Sequence, residues 1–419
     1  MRSGLNGGNG LEAAVTLRVF VVLTYTIYCK GLEAVPPGVF VPERRTGPPA
    51  FGPREACGAA VPAAGKPRAG LLRHGLPLAA KPPITRATPR DPAHDPRLAM
   101  SENALTAPVL VADIGGTNTR VALADGAVVR PESVRRFRNA DYPGLEPLLA
   151  EFLAEAPLRC QGACIATAGP VRDGVARLTN LPWVMDGAAL TRVTGCARVA
   201  ILNDLQAQGH ALDHLPAGAL REIIPGAPVR AGTTPARLVV GVGTGFNAAV
   251  VHDLAGGRLV TASECGQASL PLHDEADLAL ARALGDAHGF AGVESVLSGR
   301  GLEALYRFIA AGQTRAAAEI MQGFEAGSDP RAEETARRFV RFLGAVTGDL
   351  ALIHLPFGGI HLCGGVARAF APHLVRLGYP AAFTDKGRFS GLVKEFAVKV
   401  IEDDYAALTG CAAYLAAAG

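Results

Sequence analysis

The sequence predicts an α/β protein, and three observations predict it. From Pro108 onward, short apolar runs alternate with longer stretches of helical period. Gly clusters stand at the ends of those runs, where turns are required. The chain has 419 residues, enough for about two to four domains with sizeable cores.

The elements follow in order. Val109–Asp113 is an apolar strand and Arg120–Asp125 a second, around the turn Gly115-Gly116. Leu145–Glu155 carries an amphipathic helical pattern, and Gly162–Thr167 reads as a strand. Val199–Asn203 is a strand that places Asp204 at its carboxyl end, before a helix running through His210. Leu238–Val242 and Asn247–His252 flank a second glycine turn. Longer helices are expected over Ala276–Leu284, Gly301–Ala311, Ala332–Ala351 and Asp404–Ala417, and Gly359–Leu362 is a buried strand entering Gly364-Gly365. No short-period repeat is present; the Asp113–Asn118 and Gly241–Phe246 turns instead mark two similar halves.

Residues 1–99 have another texture. They hold 14 of the 30 Pro and 13 Lys/Arg against 6 Asp/Glu, whereas the remainder holds 28 Lys/Arg against 32 Asp/Glu. The net charge of +3 is thus a +7 leader joined to a −4 body, which removes the basic balance as an argument for nucleic-acid binding. The apolar run Val19–Cys29 is shorter than the ~20 residues of a membrane-spanning helix. A signal peptide is opposed by Arg18 and by the lack of a small-residue cleavage site. Residues 1–107 are expected to be a disordered leader, or a stretch upstream of a working start at Met100. The eight Cys form no CxxC pair and read as small apolar residues of a reducing compartment, so a cytoplasmic protein without a membrane span is expected.

Chemistry concentrates at the strand ends. Gly115-Gly116-Thr117-Asn118 offers backbone N–H groups that an anion can approach closely, and Asp113 just before it suggests a Mg²⁺ held between carboxylate and phosphate. The competing reading is a simple β-hairpin. Gly243-Thr244-Gly245 repeats the arrangement; Phe246 breaks the dinucleotide fingerprint and no Walker A sequence occurs, so two loops gripping one polyphosphate fit better than a nicotinamide site. Asp204 is the candidate general base, with Asn203 hydrogen-bonding the substrate; the competing reading makes Asp204 a helix N-cap. Glu264, Gln267 and Glu294 could bind a polyol, since carboxylates and amides accept from or donate to neighbouring hydroxyls. His210 and His214 have the spacing of metal ligands but lack the glutamate of the zinc-protease motif, and nothing adjacent to Cys265 activates its thiol.

In order and together, seven motifs resemble the bacterial glucokinase family: Asp113–Asn118, Leu178–Trp183, Leu202–Asp204, Gly243–Gly245, Val296–Gly301, Leu362–Val366 and Asp385–Phe389. The resemblance implies two ribonuclease H-like domains with a cleft between them, as in the actin and hexokinase superfamily. It implies a small domain at 108–215 completed by the C-terminal helix at about 402–419, and a large domain at 216–401. ATP and Mg²⁺ are the implied cofactors, glucose or a related hexose the partner, and a homodimer the common assembly. By the same resemblance, Asp204 deprotonates the sugar 6-hydroxyl, and Asn203, Glu264 and Glu294 hold other hydroxyls. The Gly115–Asn118 and Gly243–Gly245 loops cradle phosphates, Asp113 acts through Mg²⁺, and Gly364-Gly365 opens the turn beside the adenosine.

Two positions depart from the family pattern. Gln267 stands where the family carries a sugar-binding His, and Phe246-Asn247 where an aliphatic residue and Gly are usual. An amide replaces one donor and one acceptor with different reach. The expected activity is ATP-dependent phosphorylation of glucose at the 6-hydroxyl. The alternatives are a kinase of another hexose or amino sugar, and a silent sugar sensor. The zinc-binding Cys cluster and helix-turn-helix of the related repressors cannot be read in the sequence, which disfavours a sugar-responsive repressor.

Overall fold

The structure, a computed structural model, describes residues 107–155, 159–178 and 181–417. The leader and its alternative start at Met100 lie outside the described residues, as do Thr179 and Asn180 of the Leu178–Trp183 motif.

The first sheet grows from a hairpin of β1 (Val109–Ile114) and β2 (Asn118–Asp125), paired in register from Val109 with Ala124 to Ile114 with Thr119. Short β3 (Val128–Val129) and β4 (Arg135–Arg138) add to the outer edge of β2. After α1 (Leu145–Glu155), β5 (Gly162–Thr167) returns parallel to β1. A small antiparallel sheet of β6 (Val171–Arg172), β7 (Val175–Arg177) and β8 (Val184–Asp186) follows. Helix α2 (Gly187–Thr194) then leads to β9 (Arg198–Asn203), parallel to β5, and α3 (Asp204–Ala211) begins at once.

Period-two alternation gives β1 two buried faces. Leu110, Ala112 and Ile114 pack with Leu148, Leu149 and Phe152 of α1, while Val109 and Val111 pack with Leu408, Cys411 and Leu415 of the C-terminal helix.

The second sheet repeats the plan with longer insertions. Strand β10 (Leu220–Ile224) lies at one edge. Strands β11 (Arg237–Val242), β12 (Phe246–Leu254) and β13 (Gly257–Ala262) form an antiparallel meander. Four helices intervene: α4 (Glu275–His288), α5 (Gly299–Ile309), α6 (Ala317–Glu325) and α7 (Pro330–His354). Strand β14 (Ile360–Cys363) then pairs parallel with β11, followed by α8 (Gly365–Phe370), α9 (Tyr379–Thr384) and α10 (Ser390–Val393). Strand β15 (Val398–Ile401) is parallel to β14, and α11 (Ala406–Ala417) crosses back to the first sheet.

In both sheets a hairpin is followed by two further strands parallel to its first strand, so the two halves read from the paired turns share one topology. Helix α3 lies against both. Its Ala207 packs in the first core, and Leu205 and Ala211 pack with Val239, Ala249 and Val251 of the second. The close packing of α3 on α11 depends on Gly410, where a Cβ would lie 1.7 Å from the Ala207 carbonyl oxygen. The element that starts with Asp204 is therefore held from several sides.

Candidate active site

Carboxyl ends of parallel strands gather on one side of each sheet, where α/β proteins bind ligands. Here a cavity of about 450 Å³ opens there, lined from the first sheet by Asp113, Gly115, Gly116, Asn203 and Asp204. Its other walls are the Gly243-Thr244-Gly245 turn, Glu264, Gln267, Glu294 and Gly364-Gly365. Of the residues assigned to the site from sequence, only Thr117 and Asn118 do not line it. Strand β2 already starts at Asn118, whose carbonyl accepts the Gly115 N–H (3.0 Å), so these two residues close the hairpin.

Beneath the first turn lies buried Asn139, which sequence reasoning missed. Its Nδ2 donates to the Gly115 carbonyl (2.8 Å) and its Oδ1 accepts from the Thr119 hydroxyl (2.8 Å). The second turn is fixed on three sides. The Gly243 N–H donates to the Gly245 carbonyl (2.9 Å), and the Gly243 carbonyl accepts the Gly299 N–H at the start of α5 (2.8 Å). Gly364 has φ +98°, and a Cβ there would stand 2.5 Å from the Val242 carbonyl oxygen, so only glycine lets β14 pass this close to the turn. Among the described residues, the Gly116 and Thr244 N–H groups donate to no protein acceptor. Both turns thus keep a backbone donor available for an anion.

Asn203, not Asp204, caps α3. Its Oδ1 accepts the Leu205 N–H (3.0 Å), the Gln206 side chain accepts the Asn203 N–H (3.0 Å), and Asn203 Nδ2 donates to the Gly169 carbonyl (3.1 Å). The expectation that Asn203 binds substrate is left with one Nδ2 hydrogen. The cap reading of Asp204 is overturned by one position, because Asp204 is already the first helical residue. Its Oδ1 accepts from Leu205 N–H (2.9 Å), yet burial and, second, the nearby Asp113 charge raise its pKa from 3.8 to about 7. A carboxylate poised near neutrality suits a general base.

Asp113 itself is pushed upward, chiefly by burial, against the pull of Arg120. Arg120 Nη1 lies 3.3 Å from Asp113 Oδ2, with its guanidinium over the Tyr405 ring. Arg368 of α8 pairs with Asp404 at 2.5 Å. Both arginines line the cavity, as does exposed Arg300 of α5, which has no carboxylate partner among the described residues. Gln208 lies one turn beyond Asp204 on α3, and its Oε1 is buried without a hydrogen-bond partner among the described residues. No sequence signal marks the Arg368–Asp404 pair, whose partners are distant along the chain, whereas Asp113 and Arg120 face each other across the β1–β2 hairpin. For Gln208, the i, i+4 spacing from Asp204 is the one signal that could have found it.

On the opposite wall, Glu294 Oε2 accepts the Phe246 N–H (2.9 Å), and a Cβ at Gly245 would stand 2.6 Å from that oxygen. Glu264 Oε2 accepts from Asn247 Nδ2 (3.0 Å). Gln267 is exposed on the same loop. Burial raises the Cys265 thiol pKa, against an activated thiol. His210 packs edge-on to Tyr414 with its pKa lowered to about 4, chiefly by burial. Among the described residues no group of three or more His, Cys, Asp or Glu is arranged to hold a metal. The Asp113 carboxylate beside the glycine turn fits an ion such as Mg²⁺, which relies on one or two carboxylates and substrate phosphates. Asp113 Oδ1 accepts no hydrogen bond among the described residues.

Known proteins match this chain along the described body. The glucokinase family model matches residues 110–418. The glucokinase of Mesorhizobium japonicum is 32% identical over 325 residues, covering 76% of this chain and 94% of the relative. The crystal structure of a glucokinase from an Antarctic psychrotroph superposes with a TM-score of 0.65 at 30% identity, covering 74% of this chain and 98% of that one. The fold is shared with a ROK family glucokinase from Streptomyces griseus in complex with glucose and AMPPNP, at a TM-score of 0.52 and 20% identity, over 74% of this chain and 100% of that one. With paired strand–glycine–strand turns, a half-buried aspartate between them and a family match over nearly the whole described body, the chain belongs to the glucokinase family.

Proposed function

We propose that this chain transfers the γ-phosphoryl group of ATP to the 6-hydroxyl of glucose, giving glucose 6-phosphate and ADP. The observation that carries the reading is the place of Asp204, a half-buried carboxylate at the carboxyl end of β9 in a cavity lined by two glycine turns, where desolvation pushes its pKa up to about 7. In this reading the hydroxyl oxygen bonds to the γ-phosphorus, the bond to the β-phosphate oxygen breaks, and Asp204 takes the hydroxyl proton. Asn203, Glu264, Gln267 and Glu294 recognise the remaining hydroxyls, and Gln208 Oε1 is an acceptor that a bound hydroxyl would satisfy. The N–H groups of Gly116 and Thr244 meet phosphate oxygens, and Gly364-Gly365 admits the nucleotide.

Arg300, beside the second turn, supplies positive charge to the triphosphate. Mg²⁺, when bound, neutralises charge on the phosphates, and Asp113 is the residue that would hold it, directly or through water. Most of the acceleration then comes from positioning and charge stabilisation.

The two sheets would act as lobes, 108–215 completed by about 402–419, and 216–401, that close over the sugar to exclude water. A homodimer and a cytoplasmic location complete the reading; among the described residues no helix is long and apolar enough to cross a membrane.

The test is ADP release with Mg-ATP across glucose, mannose, fructose, glucosamine and N-acetylglucosamine. Turnover that depends on glucose is the expected result. Turnover with another sugar alone keeps the mechanism and moves the substrate; a folded protein inactive with all five overturns the kinase reading.

A further inference from the structure

The first two residues of β12 each hold one of the two glutamates that line the cavity. The Phe246 N–H donates to Glu294 Oε2 (2.9 Å), and Asn247 Nδ2 donates to Glu264 Oε2 (3.0 Å). Asn247 does more than this. Its Oδ1 accepts from the Cys265 N–H (3.0 Å), the Ser263 hydroxyl (3.1 Å) and its neighbour's Ala248 N–H (2.9 Å), with Cys265 Sγ at 3.5 Å. One amide therefore uses its oxygen to fix the backbone of the 263–267 loop and its nitrogen to aim a carboxylate.

Glu264 needs such a partner. Among the described residues its carboxylate has no other hydrogen bond to protein. A glutamate free to sample its rotamers would have to be ordered when a ligand binds, which weakens affinity; one already fixed avoids that loss. Donation to Oε2 leaves Oε1 free to accept from hydroxyls. Asn247 lines the cavity two residues after Gly245, so the same side chain ties the loop to the second turn.

We infer that Asn247 is a positioning residue: it fixes Glu264 for recognition of sugar hydroxyls and joins the 263–267 loop to the Gly243–Gly245 turn. The inference rests on the proposed kinase reading and deepens it. It also gives a role to one of the two positions at which the sequence departs from its family.

The test uses the full chain and two substitutions. Asn247→Asp keeps an oxygen acceptor for the loop but sets a carboxylate against Glu264; Asn247→Gly removes every side-chain bond. For both, the glucose KM rises by about tenfold or more, the scale of a lost hydrogen bond to a charged group. The ATP KM changes by less than about threefold, because the Gly243–Gly245 turn keeps its own backbone bonds, internally and to Gly299. A general loop defect would raise both. In a Glu264→Ala background the further effect of Asn247→Asp on glucose KM shrinks to less than about twofold, because the residue it acts through is gone. The inference is overturned if Asn247→Asp leaves the glucose KM unchanged, or if its effect is the same with and without Glu264. If Asn247→Asp does not fold, Asn247→Gly is compared in the same two backgrounds, with the same criterion. A wild-type chain that neither binds glucose by calorimetry nor phosphorylates it overturns the kinase reading itself, and this inference with it.

Discussion

Replacing Asp204 with asparagine tests the proposed base twice, once through rate and once through stability. The substitution is nearly isosteric and keeps an oxygen to accept the Leu205 N–H, but an amide cannot take a proton from a hydroxyl. General-base catalysis contributes typically about 10²–10⁴-fold, so kcat falls by about that factor while glucose affinity stays within a few-fold. Stability moves the opposite way. The folded pKa of about 7 lies above the ordinary carboxylate value of 3.8, so the folded protein holds the Asp204 proton to higher pH than the unfolded chain does. The protein therefore loses stability as pH rises from about 4 to about 7, and above that window the whole cost is present. At about 1.36 kcal/mol per tenfold in proton affinity the ceiling is roughly 4 kcal/mol. The amide introduced by Asp204→Asn carries no charge and no such cost. In thermal melts without ligands, the variant should match wild type near pH 4 and melt several degrees higher at about pH 8. A coupled ADP assay supplies the rates. Near-wild-type kcat would refute the assignment of the base; a variant less stable than wild type at that higher pH would refute the account of its desolvated charge.

The same geometry sets three more expectations. The log of kcat/KM should climb with pH to a plateau above about 7 as Asp204 loses its proton, with that limb missing from Asp204→Asn; a flat wild-type profile from about pH 5 to 8 would contradict this. Gly410→Ala places a Cβ 1.7 Å from the Ala207 carbonyl oxygen, so α11 and α3 must separate, costing about 1–3 kcal/mol or more, seen as a lower midpoint in chemical denaturation. Arg300→Ala should raise the ATP KM by about tenfold or more while leaving glucose affinity and the melting temperature within error, as expected for loss of an exposed charge near phosphate.

Legibility in the sequence followed how local each signal is. Strand β5 has the ends that its pattern indicated, Gly162–Thr167, and helix α1 begins at Leu145 as read, because each is bounded there by turn or polar residues. Helices α2 and α6 went unread: with eight and nine residues they show too few repeats to separate from loop, and only packing of Leu190 or of Ile320 and Phe324 reveals their faces. Strand β13 begins at Gly257 and buries only Val260, so its pairing with β12 decides what its own pattern could not. At the site, the glycine turns and strand-end carboxylates were legible because their chemistry is contiguous. The Arg368–Asp404 pair, Asn139 beneath the first turn and the orphaned Gln208 oxygen were not, since each depends on residues that only the fold brings together. The cap on α3 shows the limit of local reading. Asparagine and aspartate are both good caps, and only the backbone decides that Asn203 takes the role and leaves Asp204 facing the cavity.

The measurement that bears most directly on the whole account is phosphorus NMR of the purified protein with Mg-ATP and glucose, run beside 6-deoxyglucose. The account predicts a glucose 6-phosphate resonance that grows in step with ADP, and no phosphorylated product from the sugar that lacks the 6-hydroxyl. ADP formation indifferent to glucose, or phosphoryl transfer to 6-deoxyglucose at another hydroxyl, would contradict the placement of Asp204 as the base for the 6-hydroxyl.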